Sequence, residues 1–220
     1  MRVLILGATG GIGVLLVERA VADGHTVVVY ARSPEKLPQN LRDSPQVLIS
    51  KGQLTDAESL SDALQNVDAV LSALGPAVSR GPFHPKGEPL AHAYSLVIRV
   101  MKERGVTRLI ALGTPSIKDP HDKFSLTMST LVTGVSTFAS AAYKDIVAIG
   151  ETICREGDTL EWTIARVPLL NNGSDASFVA GYVGDGRTTT CLTRIAFVAF
   201  VLRELTEGEW VKARPLVTSP

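Results

Sequence analysis

The chain begins "MRVLILGATGGIG", Met1 to Gly13. Val3 to Leu6 is a short unbroken apolar run, the pattern of a strand buried on both faces. Four glycines then fall within seven residues, and from Ile12 the apolar residues recur at Leu15, Leu16, Ala20 and Val21 with helical spacing. The predicted order is strand, glycine turn, helix. Gly7, Gly10 and Gly13 form G-x-x-G-x-x-G. One glycine lets the chain turn sharply, a second lets a ligand approach bare backbone, and a third lets the helix pack tightly on the sheet. The start of the helix offers unpaired N–H groups and a positive dipole end, which suits a pyrophosphate. The glycines have a strand before them and a helix after them, so the stretch predicts a dinucleotide site.

The same alternation continues. Strands are predicted at Thr26–Tyr30, Val47–Ser50, Asp68–Gly75, Arg108–Gly113 and Glu161–Val167. Between them lie a first helix ending near Gly24, and a turn or short helix opened by Ser33 and Pro34. A helix over Thr55–Val67 follows, capped by Thr55 or Asp56, and then one from about Pro89 to Arg104 ended by Gly105. Alternating strands and helices with short connections predict an α/β chain whose parallel sheet carries helices on both faces. Residues 116–142 are rich in Ser, Thr and small apolar residues. They read as a long loop followed by a helix, or as a helix with an irregular start.

Composition narrows the function. The 220 residues suit one domain spanning 1–220, with no internal repeat and no linker. Lys plus Arg equals Asp plus Glu at 22 each, so the formal net charge is zero. A nucleic-acid binder needs a basic surface, so no nucleic-acid partner is expected. Apolar runs are too short to cross a bilayer, and the apolar start is too short for a secretory signal. A cytoplasmic protein with no membrane partner is expected, as a monomer or homodimer. Cys154 and Cys191 have neither metal nor disulfide spacing and read as buried free thiols. No metal-ligand cluster is present.

An acid at the end of the second strand would accept from the ribose 2′-OH of NAD and repel the 2′-phosphate of NADP. Here the strand runs into Tyr30-Ala31-Arg32-Ser33. Arg32 can pair with a phosphate, Ser33 adds a hydroxyl, and Lys36 lies close in sequence. NADP(H) is therefore favoured over NAD(H).

"GATGGIG", "VVVYARSPEKL", "DAVLSALG", "RLIALGTPS" and "EWTIARVP" together resemble the atypical short-chain dehydrogenases/reductases. The branch they resemble is that of the small NAD(P)H-binding proteins, which include flavin and biliverdin-IXβ reductases and NmrA-like proteins. The resemblance runs from Met1 to about Val211. It implies a single-domain Rossmann fold with the cofactor across the C-terminal ends of the strands. It places Thr9, Gly11 and Ile12 near the pyrophosphate and Leu74 and Gly75 along the nicotinamide side. Arg166, Val167 and Pro168 would flank the nicotinamide carboxamide. The acid common after the third strand is replaced by Gln53, so adenine would meet Gln53 or Leu54.

The family's catalytic pattern is a Ser or Thr after the fifth strand with Tyr-x-x-x-Lys on the next helix, the Lys lowering the Tyr pKa. Tyr143 is present, but Val147 stands four residues on. Lys144 points about 100° away from Tyr143 on a helix. Thr114 is the candidate orienting hydroxyl, with Ser116 next. His84, His92 and His121 read as surface histidines that become proton donors only if loops bring them in. Pocket segments are expected near 76–89 and 116–142, with Phe83, Phe124, Met128, Phe138 and Tyr143 as apolar candidates.

Three functions fit these residues. The first is an NADPH-dependent reductase of a small aromatic or conjugated molecule such as a flavin, quinone or secondary metabolite. The second is a redox-neutral isomerase, dehydratase or cyclase on the same scaffold. The third is a non-enzymatic NADP sensor, as some NmrA-like proteins are.

Overall fold

The computed structural model describes residues 1–76 and 83–220. The first half holds β1 (Arg2–Leu6), α1 (Gly11–Ala22), β2 (Thr26–Ala31), α2 (Gln39–Arg42), β3 (Val47–Lys51), α3 (Ala57–Ala63), β4 (Ala69–Ser72) and α4 (Pro89–Arg104). Then come β5 (Arg108–Gly113), α5 (Leu126–Phe138), α6 (Ser140–Glu156), β6 (Glu161–Arg166), β7 (Leu169–Asn171), β8 (Val179–Gly181), β9 (Cys191–Thr193), α7 (Arg194–Glu207) and β10 (Leu216–Thr218). The main sheet has the order β3-β2-β1-β4-β5-β6-β10-β8. All its pairings are parallel except β10 with β8. β7 and β9 form a small parallel pair beside it. The six-strand order is that of the doubly wound dinucleotide-binding fold, with its reversal point between β1 and β4.

Alternation along each strand divides the core in two. Val3, Ile5, Val27 and Val29 face α1 and α7, where they meet Leu16, Val17, Phe197 and Val201. Leu4, Leu6, Val28 and Tyr30 face α3, α4 and α6, where they meet Leu60, Val97, Ile98 and Ile149. A one-residue slip of any inner strand would exchange these two faces.

The predicted strands stand within a few residues of their expected places. α3 starts after Asp56, whose side chain accepts from the Ser59 N–H at 3.1 Å. α4 runs from Pro89 to Arg104 and ends at Gly105. The 116–142 stretch resolves into a loop, then α5, then the start of α6. The thiol expectation needs correction: Cys154 is partly buried but Cys191 is exposed. Cys191 opens a three-residue strand of the small sheet, too short to be covered on both sides.

One buried ion pair joins the far end of the sheet to α7. Arg108 donates to Glu204 Oε1 at 2.7 Å and to the Glu204 carbonyl at 3.0 Å. Its other nitrogen reaches Thr163 Oγ1 at 2.9 Å, and the Trp210 N–H donates to the same carboxylate at 3.0 Å. Burial pulls the Arg108 pKa down, against the opposing pull of Glu204. Removing one partner leaves an uncompensated charge indoors. We expect Glu204→Ala to cost about 3–5 kcal/mol of unfolding free energy in urea titration.

Candidate functional site

The strand order puts a crevice at the C-terminal ends of β1 and β4, and the glycine turn forms its floor. Gly7 has φ +74°, and a Cβ there would lie 3.0 Å from the carbonyl carbon of Ala73. A Cβ on Gly13 would lie 2.1 Å from Gly7 O, so α1 rests directly on the turn. Gly10 differs: its added Cβ would meet only Gly7 O, at 3.4 Å. That position is open toward the crevice, as a backbone meant to be approached by a ligand must be.

α1 begins with Gly11, Ile12 and Gly13, and no side chain caps it and no acid lies in its first turn. By contrast Asp56, Ser125 and Thr193 cap α3, α5 and α7 from within the chain. The free N–H groups of α1 therefore remain for an anion.

A cleft of about 510 Å³ covers this floor. It gathers many of the expected cofactor residues: Gly7, Thr9, Gly10, Arg32, Gln53, Leu54, Leu74 and Gly75. Pro89, Leu90 and Ala93 of α4 complete the wall on the β4 side. Gly11, Ile12 and Gly13 lie at the start of α1, and Ser33 follows Arg32 at the edge.

Arg32 is exposed and, among the described residues, forms no ion pair. At the β2–β3 end of the cleft, the Tyr30 hydroxyl donates to the Gln53 carbonyl at 2.8 Å. A Cβ on Gly52 would strike the Tyr30 hydroxyl at 2.3 Å. Burial, with Asp56 adding, raises the Tyr30 pKa and keeps the donor protonated. Under Leu74, the buried Ser72 and Tyr94 hydroxyls lie 2.7 Å apart and the Leu74 N–H donates to Ser72 Oγ at 3.3 Å. Burial pushes the Tyr94 pKa far up.

The residues expected around the nicotinamide divide. Thr114 is half-buried just after β5, and its hydroxyl accepts from the Ser116 N–H at 3.3 Å. Ser116 and Tyr143 line a separate depression of about 650 Å³, bordered by Val147, Cys154 and Arg214, which shares no residue with the cleft. Among the described residues no hydrogen bond joins the Thr114, Ser116 and Tyr143 side chains. Lys144 is exposed.

The Arg166 side chain, at the end of β6, is fully buried and donates to both Asp122 oxygens at 2.6 and 2.8 Å. It also donates to the carbonyls of Ile117 and Arg214. Burial works to raise the Asp122 pKa, but the Arg166 hydrogen bonds and charge, together with the Asp119 and Val183 N–H groups, outweigh it and hold the carboxyl below its usual range. The pair holds the loop after β5 against β6, which leaves Val167 and Pro168 as the strand-end residues; the Val167 N–H is already spent on Gly113 O at 3.0 Å.

The expected pocket aromatics are not gathered. Phe83, Phe124 and Phe138 are strongly exposed, while Met128 packs in a minor cluster with Val183 and Leu216. Of the segment 76–89, residues 77–82 lie outside the described residues. His92 and His121 are exposed as expected, but His84 is not: it bonds Asp145 at 2.8 Å with only 8% of its side chain exposed. Sequence reasoning missed Asp145. Its signal was a carboxylate on the apolar face of α6, in line with Ala142, Ile146, Ile149 and Ile153.

The fold and the open glycine cradle define a dinucleotide-binding α/β protein. Over residues 7–208 the chain matches the NAD(P)H-binding family, and it belongs to that family. It is similar to the photosystem II assembly factor Ycf39 of Synechocystis, 41% identical over 73 residues, which are 33% of this chain and 22% of that protein. It is also similar to probable pinoresinol-lariciresinol reductase 3 of Arabidopsis thaliana, 34% identical over 109 residues, 47% of this chain and 30% of that protein. The matched stretches thus span less than a third of either relative. The fold is shared with a short-chain dehydrogenase/reductase from Veillonella parvula solved in complex with NADP, at TM-score 0.78 and 16% identity, covering 100% of this chain and 94% of that one. No helix among the described residues is long and apolar enough to cross a membrane.

The space around Gly10 separates folding from binding. We expect Gly10→Val to keep the wild-type circular dichroism spectrum and melting temperature while abolishing NADPH binding in a fluorescence titration, because the added Cβ meets nothing of the protein closer than Gly7 O at 3.4 Å and the side chain fills space at the floor of the cleft.

Proposed function

We propose that the protein is an NADPH-dependent reductase of a small aromatic or conjugated organic molecule. The observation that carries this reading is the cleft: an uncapped α1 N-terminus and open Gly10 at one place, and at the β2 end an exposed Arg32 that forms no ion pair among the described residues. The Arabidopsis relative, named as a probable pinoresinol-lariciresinol reductase, supports reduction of a small organic molecule. The family supports a nicotinamide dinucleotide, and the charge at Arg32 supports NADPH over NADH. A cytoplasmic monomer or homodimer acting on a small molecule is part of the same reading.

Bound in this cleft, NADPH supplies two electrons as a hydride. The chain's own part is to bind and orient. The α1 N–H groups and Gly10 take the pyrophosphate, Arg32 and Ser33 the 2′-phosphate, and Gln53 and Leu54 the adenine. Leu74, Gly75, Val167 and Pro168 bound the nicotinamide side. Thr114, at the end of β5, orients the acceptor, and water delivers the proton. Tyr143 has Val147 rather than a lysine four residues on and lies on the other depression, so its part in proton transfer is small.

The decisive experiment mixes the protein with NADPH and a panel of quinones, flavins and enones and follows the absorbance of the reduced nicotinamide. Oxidation supports the reductase. Product without oxidation identifies a redox-neutral enzyme, and tight binding without turnover identifies a sensor.

Two substitutions probe the assignments. Arg32→Ala should weaken NADPH by about 1.5–3 kcal/mol, the scale of a hydrogen bond to a charged group, and leave NADH almost unchanged in the same titration. With saturating NADPH, Tyr143→Phe should lower turnover by less than about tenfold, short of the roughly 10²–10⁴-fold of a general acid, whereas Thr114→Val should lower it more.

A further inference from the structure

α4 enters the cleft wall through an unusual turn. Gly87 and Glu88 are both left-handed, at φ +85° and +55°, and Pro89 follows as the first helical residue. Glu88 stands at the N-cap position but makes no side-chain cap. Pro89 has no N–H, so the helix start leaves Leu90 and Ala91 as its free donors. Both are taken by Asp145 of α6: Oδ1 accepts from the Ala91 N–H at 2.9 Å and Oδ2 from the Leu90 N–H at 3.2 Å. Oδ2 also lies 2.8 Å from His84 Nε2, in the segment leading to the turn. Asp145 is completely buried. One carboxylate thus caps a neighbouring helix and anchors the chain that enters it.

Strained non-glycine conformations persist where surrounding contacts over-determine them, and they cluster at ligand clamps. What this clamp holds is the wall itself, since Pro89, Leu90 and Ala93 line the cleft. The strand order gives that wall its address. Arg32, Gln53 and Leu54 mark the adenosine end at β2 and β3, and α4 follows β4, across the reversal point. Asp145 also fills the anion-seeking end of α4, so the phosphates are left to α1.

We propose that Asp145 and His84 are positioning residues for the dinucleotide: they fix the Gly87–Glu88 turn and the first turn of α4 as the wall against which the half of the cofactor beyond the pyrophosphate lies. This rests on the reading of the cleft as an NADPH site. Neither residue touches the reacting atoms; both act through Leu90 and its neighbours.

Two probes separate the halves of the site: NADPH, which fills both, and adenosine 2′,5′-bisphosphate, which fills the adenosine end alone. Dissociation constants for both are measured with wild type, Asp145→Ala, Asp145→Asn, His84→Ala and His84→Gln, alongside thermal melts. Asp145→Ala and His84→Ala should weaken NADPH by about tenfold or more, the scale of a lost hydrogen bond to a charged group, and leave the bisphosphate almost unchanged. His84→Gln keeps a donor toward Asp145 and should recover most of the NADPH affinity. If Asp145→Ala fails to fold, Asp145→Asn and His84→Ala carry the comparison. Wild type that binds neither probe would sink the cofactor reading and this proposal with it. Wild type that binds both, with variants that lose both equally or lose neither, overturns the clamp alone.

Discussion

Between Gly7 and Gly13 the chain folds back so closely that no side chain fits at the second position, and the rest of the molecule is arranged around that contact. It seats α1 on the end of β1, which fixes the angle at which the helix crosses the sheet. It also leaves the first N–H groups of α1 facing outward without a capping side chain. A serine or aspartate at the cap would add on the order of 1 kcal/mol to the helix. Its absence gives up that stability and keeps the donors free.

The charges buried away from the cleft follow a different logic. Arg108 with Glu204, Arg166 with Asp122, and Asp145 with two backbone N–H groups are each matched donor for acceptor. Each joins segments distant in sequence: β5 to α7, β6 to the loop before α5, and α6 to α4. A buried ion pair contributes little net stability against an apolar substitute, but it fixes geometry, because a misplaced charge is costly. The α4 wall of the cleft hangs on the last of these links.

What was legible in the sequence had a period. The inner strands are buried on both faces and read as unbroken apolar runs, so β1, β2, β4, β5 and β6 were predicted nearly in place. The cofactor turn was legible because glycine spacing has a steric cause. β7 to β10 have three residues each, too few to carry alternation. The pairing of Arg166 with Asp122 was hidden for a related reason: nothing local reveals that Asp122, from an aperiodic loop, reaches back to the guanidinium at the end of β6. Near Tyr143 the search for a lysine at the fourth position passed over Asp145, although a charge on an otherwise apolar helical stripe is the mark of a buried partner.

The far edge of the sheet is closed out of chain order. β10 lies between β6 and β8, yet β8 precedes it in the sequence. When β8 leaves the ribosome its partner is not yet made: its pairing, Gly181 with Leu216 through Val179 with Thr218, waits for residues that come later in the chain. The strands from β3 to β6 can assemble as they appear. Completion of this edge therefore waits on Leu216–Thr218, and Leu216 and Val217, both buried in the finished fold, are among the last of its core residues to be covered.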